Sequence, residues 1–283
     1  MKNSLIVAAI LFLAYDLFLE FGPRPAQAKM QSQWQENRHA MEKYLRDAES
    51  GIVKHEIVYV GSSLTTRLDF QDESGCVYNL SFNGDSALTG LSAIANSARK
   101  PRLVFAEINV PERGISQELI AKASGFLPRY LAIFRVENMP INLAISFLHS
   151  FKKDRLTKEV SEPVRLNAIA VQSKGRQGTL PVNILNDNLA EFSRLVKDIE
   201  SGGTQVIFFE MPIYPDLEYT ARTVQVRDAF SNAFPDRQII SFRELAQGAN
   251  IKTVDGLHLT DDDAKIVTKN METHFNGICA NNG

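Results

Sequence analysis

Arg102 to Ile108 is an almost unbroken apolar run of strand length. A strand that is apolar on both faces cannot leave one face in water. It belongs inside a parallel sheet with helices on either side. Similar runs occur at Glu56–Val60 and Thr204–Met211, with shorter ones at Cys76–Leu80 and Gln238–Phe242. Helix-period segments lie between them. Ala87–Ala98 puts Leu88, Leu91, Ile94 and Ala95 on one face, and Asn183–Ser201 does the same with Leu189, Phe192, Leu195, Val196 and Ile199. Gly202-Gly203 ends the second of these, and Tyr219–Phe234 reads as a further helix. This alternation predicts an α/β fold: a three-layer α/β/α sandwich around a mainly parallel five-stranded sheet, doubly wound in the flavodoxin manner.

The 283 residues suit one large α/β domain with additions. A net charge of −2, without a run of basic residues, gives no footprint for a nucleic-acid partner. No Cys/His spacing matches a zinc site. Cys76 and Cys279 are the two cysteines; in an exported chain they could pair, and two free thiols are the alternative.

The N-terminus calls for separate treatment. Lys2 precedes an uncharged apolar run of 11 residues, Leu5–Tyr15. At about 1.5 Å per residue it covers roughly half of a ~30 Å hydrocarbon core. Lengthening it to Phe21 takes in Asp16 and Glu20, and a carboxylate at mid-membrane costs about 2.5–3.5 kcal/mol on insertion. The run suits a signal-peptide core, and Ala26-Gln27-Ala28 gives a small-x-small cleavage pattern. The sequence predicts export, with cleavage after Ala28 favoured over retention as an anchor; a cytosolic amphipathic helix is the third reading. Residues 1–28 are thus a signal peptide or anchor, 29–52 a helical stalk with a weak stripe of Trp34, Met41, Tyr44 and Leu45, and 53–283 the main domain. An insertion at about 111–182 covers or flanks the site, or forms a small separate domain. It holds predicted helices at Ser116–Ala123, Pro128–Glu137 and Ile141–Lys153, then a polar, Lys- and Arg-containing segment to Pro181. Pro128–Leu148 is apolar enough to touch a membrane or an envelope-protein partner; a buried helical pair is the alternative.

Chemistry concentrates at the ends of the predicted strands. Ile57–Val60 runs into Gly61-Ser62-Ser63-Leu64 and a predicted helix, Ser63 to about Phe70, which places the Ser63 hydroxyl at the lip of a sheet. A serine hydroxyl is a weak nucleophile until a base lies within hydrogen-bond reach. Of five histidines, His258 alone sits in a tight Asp255-Gly256-Leu257-His258 turn before a capped helix start, Thr260-Asp261-Asp262-Asp263. Asp255 can hold one ring nitrogen and aim the other at Ser63. Gly84 and Asn109 each follow a strand, and with the amide of Ser63 are candidate oxyanion donors. Arg67 could bind an anion or simply be exposed, and Glu210–Pro215 could line a sugar or acyl pocket or form a plain loop.

The ordered set of strand-Gly-x-Ser, Asn-x-x-x-x-Gly, strand-x-Asn and Asp-x-x-His resembles the SGNH hydrolase superfamily, also called the GDSL esterase/lipase family. Gly61-Ser62-Ser63-Leu64 matches its nucleophile block, Gly84 its glycine block, Asn109 its asparagine block, and Asp255 with His258 its last block, over roughly Glu56–Phe275. Ser62 stands where that family often has Asp, Glu107 where it usually has Gly, and Val110 where it often has Asp. The resemblance implies Ser63 as nucleophile, His258 as base, Asp255 as its orienting group, and Ser63, Gly84 and Asn109 as the oxyanion hole. No metal or organic cofactor is implied. Gly-Ser-Ser with an N-terminal membrane signal is similar to the branch that acylates or deacylates cell-surface polymers, so the expected substrate is an acyl ester or acylated carbohydrate. Transferase and hydrolase remain open. Glu107, which could crowd an oxyanion or turn away into a polar contact, keeps a non-catalytic scaffold as the rival.

Overall fold

The computed structural model describes residues 2–22, 30–51, 55–70, 75–150, 161–275 and 278–279. In chain order the elements are α1 (Lys2–Phe21), α2 (Gln33–Ser50), β1 (Ile57–Val60), β2 (Val77–Asn79), α3 (Ala87–Ala95), β3 (Leu103–Glu107), α4 (Gln117–Ala123), α5 (Phe126–Tyr130), α6 (Pro140–Ser150), α7 (Glu162–Arg176), α8 (Val182–Glu200), β4 (Gln205–Phe209), α9 (Pro215–Glu218), α10 (Ala221–Ala233), β5 (Ile239–Ile240), α11 (Phe242–Ala246) and α12 (Asp261–Glu272). The chain divides into two compact units. One comprises residues 1–46 and 117–158, the other residues 47–116 and 159–283.

The second unit holds the sheet, in the order β2-β1-β3-β4-β5 with every pairing parallel. Side chains alternate across it, and both faces are apolar. Ile57, Tyr59, Leu103, Phe105, Ile207 and Phe209 face a core completed by Leu245 of α11 and Val267 and Met271 of α12. Their neighbours point the other way, where Phe208 meets Phe192 of α8 and Phe230 of α10. Helices cover both faces, and the architecture is a three-layer α/β/α sandwich.

Gly90 shows how closely the layers approach. A Cβ at that position in α3 would lie 2.5 Å from Val60 Cγ1 on β1. Cys76 and Cys279 form a disulfide across 203 positions of sequence, tying the approach to β2 to the C-terminal segment. Close to it, Phe275 packs edge-on against Tyr59 and beside Phe105.

Three sequence expectations change. The segment after Ser63 is a single 3₁₀ turn, Thr65–Arg67, in place of a helix to Phe70. Asn79 captures the carbonyls of Thr65 and Leu68 with its side-chain amide, at 2.8 and 3.0 Å, and Leu68 is extended. The helix expected over Pro128–Glu137 stops at Tyr130 and gives way to two 3₁₀ turns. There Asn138 Nδ2 donates to the Ala132 carbonyl and the Val136 amide donates to Glu42. The polar stretch before Pro181 contains a 15-residue helix, α7, whose sequence lacks a broad apolar face. The Ala26–Ala28 cleavage pattern lies outside the described residues.

Gly90→Ala should destabilise the second unit. Overpacking against Val60 costs about 1–3 kcal/mol, more than the ~1 kcal/mol of helix propensity gained. A lower denaturant midpoint with an unchanged slope is the expected result; a raised midpoint would contradict the close packing of α3 on β1.

Candidate active site

The parallel register decides which loops share an edge. Tyr59 is level with Asn79 on one side and Phe105 on the other, and Phe105 is level with Ile207. The loops holding Ser63, Gly84, Asn109 and Met211 therefore all leave the same carboxyl edge of the sheet, where doubly wound folds bind ligands.

Side-chain hydrogen bonds stitch these loops together. Thr66 Oγ1 lies 2.9 Å from the Ser63 carbonyl oxygen and 3.1 Å from Asn83 Oδ1, linking the loops after β1 and β2. Ser86 caps α3 and donates its hydroxyl to the Arg113 carbonyl at 2.7 Å, linking the loops after β2 and β3. Asn109 pairs twice with Met211, accepting from its amide at 2.7 Å and donating to its carbonyl at 3.0 Å. The Tyr214 amide then donates to Gly256 at 2.8 Å, reaching the histidine turn.

That turn is closed by a bridge between Thr253 and Leu259 and a hydrogen bond from the Val254 amide to the His258 carbonyl. Gly256 has φ +96°, a value that favours glycine. A Cβ on Gly256 would also press on Leu217 and on Ile169 of α7, so α7 packs against the turn. Asp255 Oδ1 accepts the amides of Leu257 at 3.0 Å and His258 at 2.8 Å. Its Oδ2 accepts a hydrogen bond from His258 Nδ1–H at 2.7 Å. This leaves His258 Nε2 as an acceptor, 2.9 Å from Ser63 Oγ. Serine, imidazole and carboxylate thus form a continuous relay between residues 195 positions apart. An imidazole held this way can take the hydroxyl proton as the oxygen attacks.

Partial burial of Asp255 opposes its ionisation. The hydrogen bonds from the His258 ring and the two amides outweigh that and hold the carboxyl at about 2. The other histidines have different partners. His39 meets Glu137 and His55 meets Gly75 and Asp47.

The remaining candidates lie on loops that leave the same sheet edge. Among the described residues the backbone amides of Ser63 and Gly84 have no acceptor. Gly84 has φ +80° and is exposed, and a Cβ there would meet nothing closer than Arg113 Nη1 at 3.8 Å. Asn109 uses one side-chain N–H on Met211, and the second has no acceptor among the described residues. Ser63 does not open a regular helix, so no helix dipole bears on it; its donors are individual amides.

Glu107 lies fully within the protein and turns toward the β1 loop. Its Oε2 accepts the Ser62 amide at 2.8 Å and Thr65 Oγ1 at 2.6 Å, and its Oε1 accepts Ser62 Oγ at 2.8 Å. Burial raises its pKa against these donors. A Cβ on Gly61 would sit 2.5 Å from that carboxylate and from Thr65 Oγ1, so glycine is required beside the clamp. Thr65 and Asn79, both absent from the sequence-level candidates, hold the serine's loop. The detectable signal was three hydroxyls, Ser62, Ser63 and Thr65, opposite a carboxylate at the end of a buried strand. Arg67 pairs loosely with Asp261 at 3.7 Å on the surface. Glu210 pairs with Arg227, and Pro212, Ile213 and Pro215 from the same segment line a cavity of about 330 Å³. At the end of α7, Arg176 is 7% exposed, and burial lowers its pKa while Glu112 raises it.

No family model and no curated protein matches the chain. A solved chain from Streptococcus pneumonia, provisionally described as a platelet activating factor, is 14% identical, covers 84% of this chain and 92% of its own, and superposes with a TM-score of 0.45. That likeness assigns no activity.

Glu107→Ala should leave the Ser62 amide and the Thr65 hydroxyl buried without acceptors, at about 1–3 kcal/mol each. Thermal unfolding should show the loss, and Glu107→Gln, which keeps one acceptor oxygen, should fall between that variant and the wild type. Asp255 gives a pH-dependent prediction. Its carboxyl is lowered on folding, so its contribution is complete above pH ~4 and disappears as the pH falls toward 2. The stability gap between wild type and Asp255→Asn should narrow over that window in acid titration; a constant gap would contradict the assignment.

Proposed function

We propose that this chain is a serine-dependent SGNH-type enzyme that hydrolyses or transfers acyl esters on an acylated carbohydrate or envelope polymer. The observation that carries the reading is the relay from Asp255 through His258 to Ser63 Oγ at 2.7 and 2.9 Å. The uncommitted amides of Ser63 and Gly84, on loops of the same sheet edge, support it as donors to an oxyanion.

In this reading His258 Nε2 takes the Ser63 proton as Oγ bonds to the ester carbonyl carbon. The carbonyl π electrons move onto oxygen, and the oxyanion is held by the Ser63 and Gly84 amides with the second Asn109 N–H. Collapse of this intermediate breaks the bond to the alcohol, which leaves with the proton from His258. Water or a sugar hydroxyl then attacks the acyl-serine and gives its proton to His258, which returns it to Ser63 Oγ as the bond between that oxygen and the acyl carbon breaks. Asp255 keeps its charge throughout and stabilises the imidazolium.

A scaffold reading drew on Glu107 as a threat to the oxyanion. The Glu107 carboxylate is instead taken by Ser62 and Thr65, which leaves that rival without a supporting observation.

Turnover of a chromogenic acetyl ester should fall by at least about 10³-fold in Ser63→Ala, and by about 10²–10⁴-fold in Asp255→Asn with little change in KM. A serine-reactive phosphonate should label Ser63 in the wild type. Wild-type turnover equal to that of Ser63→Ala, with no labelling, would overturn the proposal. An acylated oligosaccharide product, formed when the acceptor is added, would identify a transferase.

A further inference from the structure

The first unit contains α1, a 20-residue apolar helix carrying two acidic residues one turn apart, Asp16 and Glu20. As a bare span or a removable leader the helix is marred by both. In the structure neither carboxylate is left alone. Asp16 Oδ1 accepts the Ile133 amide at 2.8 Å, and Glu20 pairs with the Arg135 guanidinium. The Arg135 side chain is only 6% exposed, and its Nε donates to the Pro128 carbonyl at 3.1 Å. Leu19, the residue before Glu20, is buried as well. Cleavage after Ala28 would remove α1 and leave a buried guanidinium without its carboxylate, an arrangement proteins avoid.

The rest of α1 faces outward. Leu5, Ile6, Ile10 and Leu11 are each more than half exposed, and Asn3–Phe21 has a mean hydropathy of 2.0. At about 1.5 Å per residue the stretch from Lys2 to Tyr15, ahead of the acidic pair, reaches about 20 Å into a ~30 Å hydrocarbon core. The segment that binds its acidic end also displays apolar side chains: Phe126 is 71% exposed, and Tyr130, Phe147 and Leu148 are each more than half exposed. Arg129 lies over the Tyr130 ring, 5.5 Å from its centre. Aromatic rings beside basic groups at one end of an apolar helix suit the membrane–water boundary.

We propose that the first unit is a membrane-seated foot. α1 is retained in the mature protein and is embedded in the bilayer, the Asp16/Glu20 end sits at the lipid headgroups, and Phe126, Tyr130 and the exposed face of α6 rest in the same interface. The Arg135 clamp turns what reads in sequence as a flawed span into an anchored one. The partner is lipid, and the proposal is independent of the chemistry at Ser63.

Three measurements on the full-length chain test it. Mass spectrometry of protein extracted from membranes should recover peptides from residues 2–22, in material that resists alkaline carbonate; a mature N-terminus at Lys29 would overturn retention. In a Trp34→Phe background, Phe126→Trp should be quenched several-fold more than Tyr219→Trp in phosphatidylcholine vesicles with brominated acyl chains. Equal quenching would overturn the seating of the patch. In detergent, Asp16→Ala should speed hydrogen exchange at the Ile133 amide by about tenfold or more, and unchanged exchange would overturn the clamp.

Discussion

The buried carboxylate of Glu107 is the fixed point of the second unit. It ends β3, yet its hydrogen bonds go to the loop after β1, where it takes the Ser62 amide and the hydroxyls of Ser62 and Thr65. Ser63 is the next residue, and its loop is too short and irregular to position a hydroxyl by helix geometry alone. Asn79 performs a matching task from β2 by holding the carbonyls of Thr65 and Leu68. A loop anchored from both neighbouring strands can keep a serine within 2.9 Å of an imidazole without a regular helix beneath it.

The main elements of the sheet were legible because both of its faces are apolar. Continuous runs such as Leu103–Glu107 and Gln205–Phe209 leave a parallel, helix-covered sheet as the physical solution, and the helices on α8 and α12 carry either a clear apolar stripe or a readable cap. The relay residues were legible for a different reason. A hydroxyl, an imidazole and a carboxylate able to meet at one sheet edge each had to sit at a strand end or in a tight turn, and few positions offered that. The pairing of Cys76 with Cys279 was left open by the sequence, since nothing local records that the C-terminal segment returns to β2.

What escaped the sequence was decided by side chains that capture backbone groups. Asn79 unmakes a helix after Ser63, and Asn138 and Glu42 break the one expected after Pro128. Propensity and periodicity register neither effect, because the competing side chains lie outside the segment whose backbone they capture. α7 escaped for the opposite reason. It buries little besides Ile169 and Arg176, so it carries almost no apolar period, yet it braces the histidine turn through Gly256.

Two carboxylates beside the serine are driven in opposite directions, and the contrast suits what each does. Asp255 keeps some contact with water and has three donors, so its charge is retained even in acid. A fixed charge is what an imidazole needs when it takes up a proton. Glu107 has as many donors but no solvent, and burial prevails. Its task survives that outcome. The Ser62 amide can only donate, and it finds Oε2 in either protonation state. The two hydroxyls can donate to a carboxylate or accept from a neutral carboxyl. A positioning clamp tolerates a proton that an orienting charge does not. Burying the clamp and leaving the charge partly solvated therefore places each carboxyl in the environment its work requires.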